Sequence, residues 1–163
     1  MHHSRDQRAV ACAVLTASDT RTKETDRSGQ RMHELLAAAG HPVVAYAILP
    51  DDPQRIGVQL DVWLNDPTVH AVLINGGTGL APRDTTYEAV VTRLEKHLDG
   101  FGELFRSLSF AEIGAAAMLS RAVAGVARGR FVASVPGSTA AVELAMTRLI
   151  VPQLGHIVTL LAG

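Results

Sequence analysis

A glycine-rich segment followed by an acidic residue is the first part of the chain that could carry chemistry. Residues 76–84 read GGTGLAPRD and directly follow an apolar run. Gly76, Gly77 and Gly79 leave backbone N–H groups open to a phosphate, and the positive end of a following helix would favour the same ligand. The alternative is a tight strand-to-helix turn that binds nothing, and the spacing leaves both interpretations open.

A carboxylate lies at the end of this segment. Thr85 and Glu88 have the T-x-x-E spacing of a capping box, which predicts a helix that begins at Thr85 and does not need Asp84 as its cap. A carboxylate beside a phosphate repels it unless a cation intervenes, and Mg²⁺ commonly binds one or two carboxylates together with substrate phosphates. We therefore predict that Asp84 binds magnesium. Arg83 either offsets phosphate charge or faces solvent.

Polar segments also follow three other apolar runs. They are SDT at 18–20 with DRSG at 26–29, LPDD at 49–52, and VPGST at 135–139. Ligands of open α/β sheets bind beyond the carboxyl ends of the strands, so parallel strands would bring Asp19, Asp51 and Asp84 to one edge. Plainer interpretations stay open: a polar surface loop, a turn in which Asp52 caps a helix, and a strand end where Ser138 caps another.

The elements that must position these residues alternate between short apolar runs and segments of helical period. This pattern indicates a parallel α/β sheet with helices on both faces. The predicted parallel strands are Val10–Thr16, Val43–Ile48, His70–Ile74 and Arg130–Val135. The turn GVARGRF predicts that Ala122–Val126 pairs with the last of these as one antiparallel hairpin strand.

Helix boundaries are predicted from capping residues. Ser28 is expected to cap the first helix and Gly40 to end it. Asp52 and Pro53 are expected to begin the second helix. The last segment reads as a long apolar helix, in which Pro152 predicts a kink or a break.

Length and composition favour one globular domain spanning residues 1–163, with residues 1–8 expected to be disordered. The chain is 47% hydrophobic and 19% charged, and a net charge near −1 provides no basic surface for nucleic acid or an anionic membrane. The single cysteine, Cys12, fits a reducing compartment. We interpret AVACAVLTA as a strand rather than a signal peptide, and no apolar run approaches the ~20 residues of a membrane span. The expected location is the cytoplasm.

Other common site patterns are missing from the sequence. A Walker A loop requires Gly-Lys followed by Ser or Thr, and a G-x-G-x-x-G motif beginning at Gly77 has Pro82 in its third glycine position. There is no H-x-x-x-H pair for a metal and no G-x-S-x-G turn for a serine hydrolase. The segment 76–84 therefore remains the principal candidate.

The chain resembles the Mog/MoaB family of molybdenum cofactor biosynthesis proteins in six segments that occur in the same order. These segments are SDT, DRSG, LPDD, GGTGLAPRDTTYEA, MLSRAVAG and VPGST. The resemblance runs from about Val10 to near the C-terminus, and GFGELFRSLSFAEIG is closer to the MoaB branch. Tyr87 stands where many relatives carry Pro. The resemblance implies a three-layer α/β/α molybdopterin-binding fold, assembly as homotrimers or hexamers, and adenylylation of molybdopterin with ATP and Mg²⁺.

The resemblance also implies the site residues. The two functional aspartates of the family fall on Asp51 and Asp84, which are thereby implied as catalytic residues and metal ligands. The residues implied to bind molybdopterin or nucleotide are Gly76, Gly77, Thr78, Gly79, Pro136, Gly137, Ser138, Ser18, Asp19, Asp26 and Ser28.

Two other functions are open beside the adenylyltransferase. One is an inactive MoaB-type protein that holds molybdopterin without turning it over. The other is an oligomeric accessory protein whose apolar final helix packs against neighbouring subunits.

Overall fold

A six-stranded sheet is the centre of the computed structural model, which describes residues 8–163. Within that range the strand order is β2-β1-β3-β6-β5-β4, and β5 is the strand that runs antiparallel to its neighbours. The strands are β1 Cys12–Ala17, β2 Val43–Leu49, β3 Ala71–Asn75, β4 Lys96–His97, β5 Val123–Ala127 and β6 Arg130–Val135. The predicted mostly parallel sheet with one antiparallel hairpin strand is confirmed.

Helices cover both faces of the sheet and bury two apolar clusters. One cluster joins the sheet to α1, α4, α5 and α6, and the other joins it to α2 and α3, which confirms the three-layer arrangement. The helices are α1 Arg27–Ala38, α2 Pro53–Leu64, α3 Thr86–Val91, α4 Asp99–Ile113, α5 Thr139–Ala145 and α6 Val151–Leu161, with a 3₁₀ helix at Gly114–Leu119 and a π-helical segment at Met146–Ile150.

The predicted strands are all present, with ends that differ by at most two residues. The hairpin turn between β5 and β6 consists of Arg128 and Gly129, whose φ angles of 49° and 76° are both positive, as a two-residue type I′ turn requires. The short edge strand β4 was not predicted, because two exposed residues carry no alternating pattern. The expected disorder of residues 1–8 falls mainly on residues 1–7, which lie outside the described range.

Most of the predicted helix ends are confirmed, and the predicted cap of α1 is wrong. The carboxylate of Asp52 accepts from the N–H groups at the start of α2, and Ser138 does the same for α5. Gly40 follows the end of α1 with a φ of 81°. However, α1 is capped by Asp26, whose carboxylate accepts from the Gly29 N–H, and Ser28 lies inside the first turn.

The chain stays helical through Pro152, so the alternative of a break is wrong. The π-helical segment Met146–Ile150 precedes the proline and joins α5 to α6. Within residues 8–163, the helical run Thr139–Leu161 is long and apolar enough for a membrane span by length and composition alone. Its inner side belongs to the core through residues such as Val142 and Leu154, which explains its apolar character.

The single cysteine is part of the core. Cys12 lies in β1 and is fully buried, with its thiol donating to the carbonyl of Val10 at 3.3 Å. Burial raises the pKa of this thiol to about 12, because the thiolate would lose its hydration. Cys12 therefore acts as a small apolar side chain.

Candidate functional site

The carboxyl ends of four parallel strands meet at one edge of the sheet. Backbone hydrogen bonds join the chain segments there: Ser18 N–H donates to the Leu49 carbonyl at 2.8 Å, and Gly76 N–H donates to the Val135 carbonyl at 3.0 Å. The chain forms β2 on one side of β1 and β3 on the other, so the topological switch point lies between β1 and β3. Ligands of open α/β sheets bind at this position.

The glycine loop after β3 requires glycine for reasons of packing. Gly76 and Gly77 have φ angles of 98° and 68°. A Cβ on Gly76 would lie 2.3 Å from the Ala17 carbonyl oxygen, and a Cβ on Gly77 would lie 2.1 Å from Thr86 Oγ1 and 2.4 Å from Asp51 Oδ1. The loop is thus the tight turn of the plainer interpretation, and it also packs directly against one of the two predicted aspartates.

Asp51 is held beside this loop from two directions. Its Oδ1 accepts from Thr86 Oγ1 at 3.3 Å, and its backbone N–H donates to Asp19 Oδ1 at 3.2 Å. Asp19 also forms an ion pair with Arg83, whose side chain remains 74% exposed. The predicted residues Asp19 and Asp51 are therefore in direct contact.

The pKa of Asp51 is raised above its ordinary value. Burial is the main cause; the Thr86 hydrogen bond opposes it, Asp19 and Asp84 raise the pKa further by repulsion, and Arg83 lowers it. A negatively charged Asp51 therefore lies close to two other carboxylates, with a single guanidinium to offset them. A bound cation would relieve this repulsion.

Asp84 lies at the other end of the same loop. Its Oδ2 accepts from the Ala81 N–H at 3.1 Å, which closes a small turn. The same oxygen is 2.8 Å from the position that a Cβ on Gly79 would occupy. The two predicted aspartates therefore contact the two halves of one glycine loop, Asp51 at Gly77 and Asp84 at Gly79.

The donor set fits a cation that arrives together with phosphate. Within residues 8–163, no group of three or more His, Cys, Asp or Glu side chains could hold a metal ion by itself. Asp51 and Asp84 supply carboxylate oxygens, which suit a hard cation such as Mg²⁺. This ion usually takes its other ligands from substrate phosphates and water, so two carboxylates are a sufficient protein contribution.

A cavity of about 340 Å³ opens beside the glycine loop. Its lining includes seven predicted residues: Gly77, Thr78, Gly79, Asp84, Pro136, Gly137 and Ser138. Larger cavities of about 440 and 570 Å³ contain none of the predicted residues, so volume alone would have pointed elsewhere.

One wall of the cavity was not predicted. It is formed by α4 and the 3₁₀ helix, with Phe105, Ser109, Ile113, Ala117 and Ser120 among its residues. Phe105, Ser109 and Ile113 lie in GFGELFRSLSFAEIG, a segment that resembles the MoaB branch but that carries no predicted site residue. Ser109 is a usable signal in retrospect, because it places a hydroxyl on the apolar side of a helix and is only 8% exposed.

Asp26 has a structural position that the sequence did not predict. It is fully buried, and its carboxylate accepts from Thr16 Oγ1 at 2.7 Å, from the Gly29 N–H at 3.0 Å and from the Tyr46 hydroxyl. With these donors in place the carboxylate cannot face a ligand in the cavity. Asp26 therefore stabilises the start of α1 and the end of β1, and its implied contact with ligand is corrected.

The predicted serines of the first connection also shape the site from within. Ser28 Oγ donates to the Gly137 carbonyl at 2.6 Å, and Arg21 Nη2 donates to the same oxygen at 3.0 Å. Ser18 Oγ accepts from the N–H groups of Thr20 and Arg21. These contacts hold the Pro136–Ser138 turn against the first connection.

The predicted capping box at α3 is wrong. The Thr85 side chain makes no capping hydrogen bond, and its Oγ1 is buried without a partner among the described residues. Glu88 forms an ion pair with Arg121, and the hydrogen bond from this guanidinium lowers the pKa of Glu88. Glu88 is drawn away from the helix start by a residue that lies 33 positions further along the chain.

Known proteins share both the sequence and this arrangement. A family profile described as "Probable molybdopterin binding domain" matches residues 13–156. The molybdenum cofactor biosynthesis protein B of Halalkalibacterium halodurans is 54% identical over 157 residues, which cover 96% of this chain and 92% of that protein.

Solved structures agree with the sequence comparison. A crystal structure of a molybdenum cofactor biosynthesis protein B is 50% identical, covers 96% of this chain and 98% of its own, and superposes with a TM-score of 0.93. The tungsten cofactor synthesizing protein MoaB of Pyrococcus furiosus is 32% identical, covers 95% and 98% of the two chains, and has a TM-score of 0.85. The chain therefore belongs to the Mog/MoaB family of molybdopterin-binding, molybdenum cofactor biosynthesis proteins, and it is closer to the MoaB branch.

Proposed function

We propose that, within molybdenum cofactor biosynthesis, this protein transfers an adenylyl group from ATP to the terminal phosphate of molybdopterin. The observation that carries the proposal is the placement of Asp51 and Asp84 against the two halves of one glycine loop, at Gly77 and Gly79. Two carboxylates that pack against one glycine loop suit a ligand that brings both a phosphate and a cation.

The proposed step is a phosphoryl-type displacement. A phosphate oxygen of molybdopterin attacks the α-phosphorus of ATP, a new P–O bond forms, and the bond to the oxygen that bridges the α- and β-phosphorus breaks. Pyrophosphate leaves with that electron pair, and adenylylated molybdopterin remains. Such a step needs little covalent help from protein, because alignment and neutralisation of charge lower its barrier.

The residues would divide this work among themselves. Backbone N–H groups of the glycine loop would bind phosphate oxygens, and Asp51 and Asp84 would hold the magnesium ion. When bound, that ion would neutralise phosphate charge. The Pro136–Ser138 turn and the α4 wall would enclose the remainder of the substrates in the cavity.

A single-turnover assay tests the proposed activity. Protein in excess is mixed with molybdopterin and ATP labelled at the α-phosphate, with and without Mg²⁺, and the products are separated. We expect labelled molybdopterin and an equal amount of pyrophosphate only when Mg²⁺ is present. If molybdopterin binds at micromolar concentration and no product forms, the protein is a binding protein of this family rather than an enzyme.

Asp51 is expected to lower stability while it serves activity. The pKa of Asp51 is raised in the folded protein, so folding is favoured when this carboxyl group is protonated. Its contribution to the free energy of unfolding is complete below pH 3.8, the ordinary pKa, and is lost as the pH rises through the raised pKa. Asp51→Asn should therefore raise Tm at pH 7 and abolish Mg²⁺-dependent adenylylation. The gain in Tm should shrink as the pH falls towards 3.8.

The neighbouring aspartate is the matched control. Asp52 caps α2, a role that Asn also fills, so Asp52→Asn should keep activity and should not raise Tm. Calorimetry at pH 7 and near pH 4 measures both variants. A lower Tm for Asp51→Asn at pH 7 would show that this carboxylate has a structural role instead.

We also propose the homotrimer or hexamer and the cytoplasmic location implied by the sequence. An apolar groove of about 330 Å³ supports assembly; it is lined by α4 and α6 and includes the exposed side chains of Leu98, Leu104 and Leu160. Light scattering measures the number of subunits directly.

A further inference from the structure

We propose that Arg121 is a positioning residue that orients the glycine loop for its ligand, an inference that rests on the proposed function of that loop. Arg121 Nε donates to the carbonyls of Thr78 and Gly79 at 3.3 and 3.1 Å, and Nη2 donates to the Asp84 carbonyl at 2.9 Å. The Arg121 backbone N–H adds a bond to the Thr78 carbonyl at 3.1 Å. One residue thus holds both ends of the loop segment.

These contacts decide where the loop amides point. In a planar trans peptide the C=O and the following N–H point in opposite directions. Because the carbonyls of Thr78 and Gly79 point towards Arg121, the N–H groups of Gly79 and Leu80 point away from it. Neither N–H group donates to any acceptor within residues 8–163. Arg121 therefore presents unpaired amides on the side of the loop opposite to its own guanidinium, where an anion can accept from them.

The guanidinium is itself held in place. Its Nη1 and Nη2 donate to the two carboxylate oxygens of Glu88, and its Cζ lies 4.7 Å from the centroid of the Tyr87 ring. Arginine offers five donors in a planar fork and stacks on aromatic rings, whereas lysine is a single flexible point charge. Tyr87, the position where many relatives carry Pro, gives this chain the aromatic surface on which Arg121 rests.

Arg93 is a matched control. It is 25% exposed and Arg121 is 26% exposed, and each forms an ion pair with an acidic residue and hydrogen bonds to backbone carbonyl oxygen. Arg93 pairs with Asp61 and joins α3 to α2, without contact to the glycine loop. Truncation of either arginine removes a comparable set of contacts.

The first measurement needs no substrate. The amides of Ala81 and Asp84 are hydrogen-bonded within the loop segment, at 3.1 and 2.9 Å, so their hydrogen exchange reports on its order. We expect Arg121→Ala to speed their exchange at least tenfold and Arg93→Ala to leave it unchanged. Equal exchange in the two variants would overturn the proposal.

The second measurement is binding and turnover with Mg²⁺-ATP. We expect Arg121→Ala to lower kcat/KM about 100-fold, the loss typical of a misplacement near 1 Å, while Arg93→Ala stays within threefold at a similar Tm. Arg121→Lys should be as impaired as Arg121→Ala, because the single nitrogen of an ammonium cannot occupy the separate positions from which Nε and Nη2 bind the three carbonyls. Glu88→Gln keeps the carbonyl contacts and should retain most activity. Full activity in Arg121→Lys would show that only the charge matters and would overturn the proposal.

Failure of the proposed function can be distinguished from failure of the inference about Arg121. If the parent protein binds Mg²⁺-ATP but makes no product, the proposed adenylyltransferase activity is wrong. The hydrogen-exchange and ATP-binding measurements then still test whether Arg121 orients the loop. If the parent turns over and Arg121→Ala matches Arg93→Ala in kcat/KM, the inference about Arg121 fails alone.

Discussion

Asp84→Asn is expected to lower adenylylation at least ~10²-fold, the loss seen when one group that stabilises charge in the transition state is removed. The substitution keeps an oxygen that can accept from the Ala81 N–H, so the turn at residues 81–84 can persist. It removes the negative charge that the cation would need. Tm should therefore change little, and rates from the single-turnover assay measure the effect.

A second aspartate in a similar turn provides the control. Asp66 Oδ1 accepts from the Thr68 N–H at 2.8 Å and lies outside the lining of the cavity. Asp66→Asn should keep full activity. If Asp84→Asn also keeps full activity, the metal role is wrong, and if it unfolds the protein, Asp84 is structural.

Gly77→Ala is expected to damage both stability and activity. The new Cβ would lie 2.1 Å from Thr86 Oγ1 and 2.4 Å from Asp51 Oδ1, so both side chains must move. The φ of 68° adds about 1–2 kcal/mol for an L-residue in the left-handed region. We expect activity to fall more than ~10²-fold, because displacement of a catalytic group by about 1 Å has this effect.

Gly129→Ala separates the clash from the backbone strain. Gly129 has a φ of 76°, close to that of Gly77, but no atom lies within 4 Å of the position of its Cβ. This variant should lose about 1–2 kcal/mol of unfolding free energy and keep its activity. Chemical denaturation and the single-turnover assay measure the pair. If the two variants lose equal activity, the contact of Gly77 with Asp51 is unimportant.

The centre of the sheet could be predicted from the sequence because β1, β3 and β6 are buried on both faces. Such strands are short apolar runs that end in turn residues, and each of the predicted runs became a strand. The antiparallel hairpin could also be predicted, since Arg128 and Gly129 form a turn that depends on neighbouring residues only. Strand β4 could not be found, because it exists through pairing of Lys96 and His97 with β5.

Contacts between distant residues account for the errors at the helix starts. Ser28 matched a capping pattern, but Asp26 caps α1 and Ser28 instead donates to Gly137, 109 positions away. Glu88 matched a capping box, but Arg121 binds it. Local spacing could not show either partner, since each is brought close by the folded sheet.

The same limit applies to the candidate site. Asp51, Asp84 and the glycine loop could be predicted from the sequence, because each follows a predicted strand at the same edge of the sheet. The wall with Phe105 and Ser109 could not be predicted, because its residues lie on a helix whose pattern resembles an ordinary core helix. The resemblance implied that Asp26 binds ligand, and a polar loop pattern does not reveal that its side chain is fully buried.

The position of Cys12 keeps a reactive thiolate away from a sulfur-containing ligand. An oxidant that removes two electrons could join a dithiolene sulfur of molybdopterin to an accessible cysteine thiolate as a disulfide. Cys12 is the only cysteine of the chain, it is enclosed in β1, and its pKa of about 12 keeps it protonated. The protein thus offers its pterin no partner for a mixed disulfide, and a cysteine engineered on the surface would be the sole target of a maleimide label.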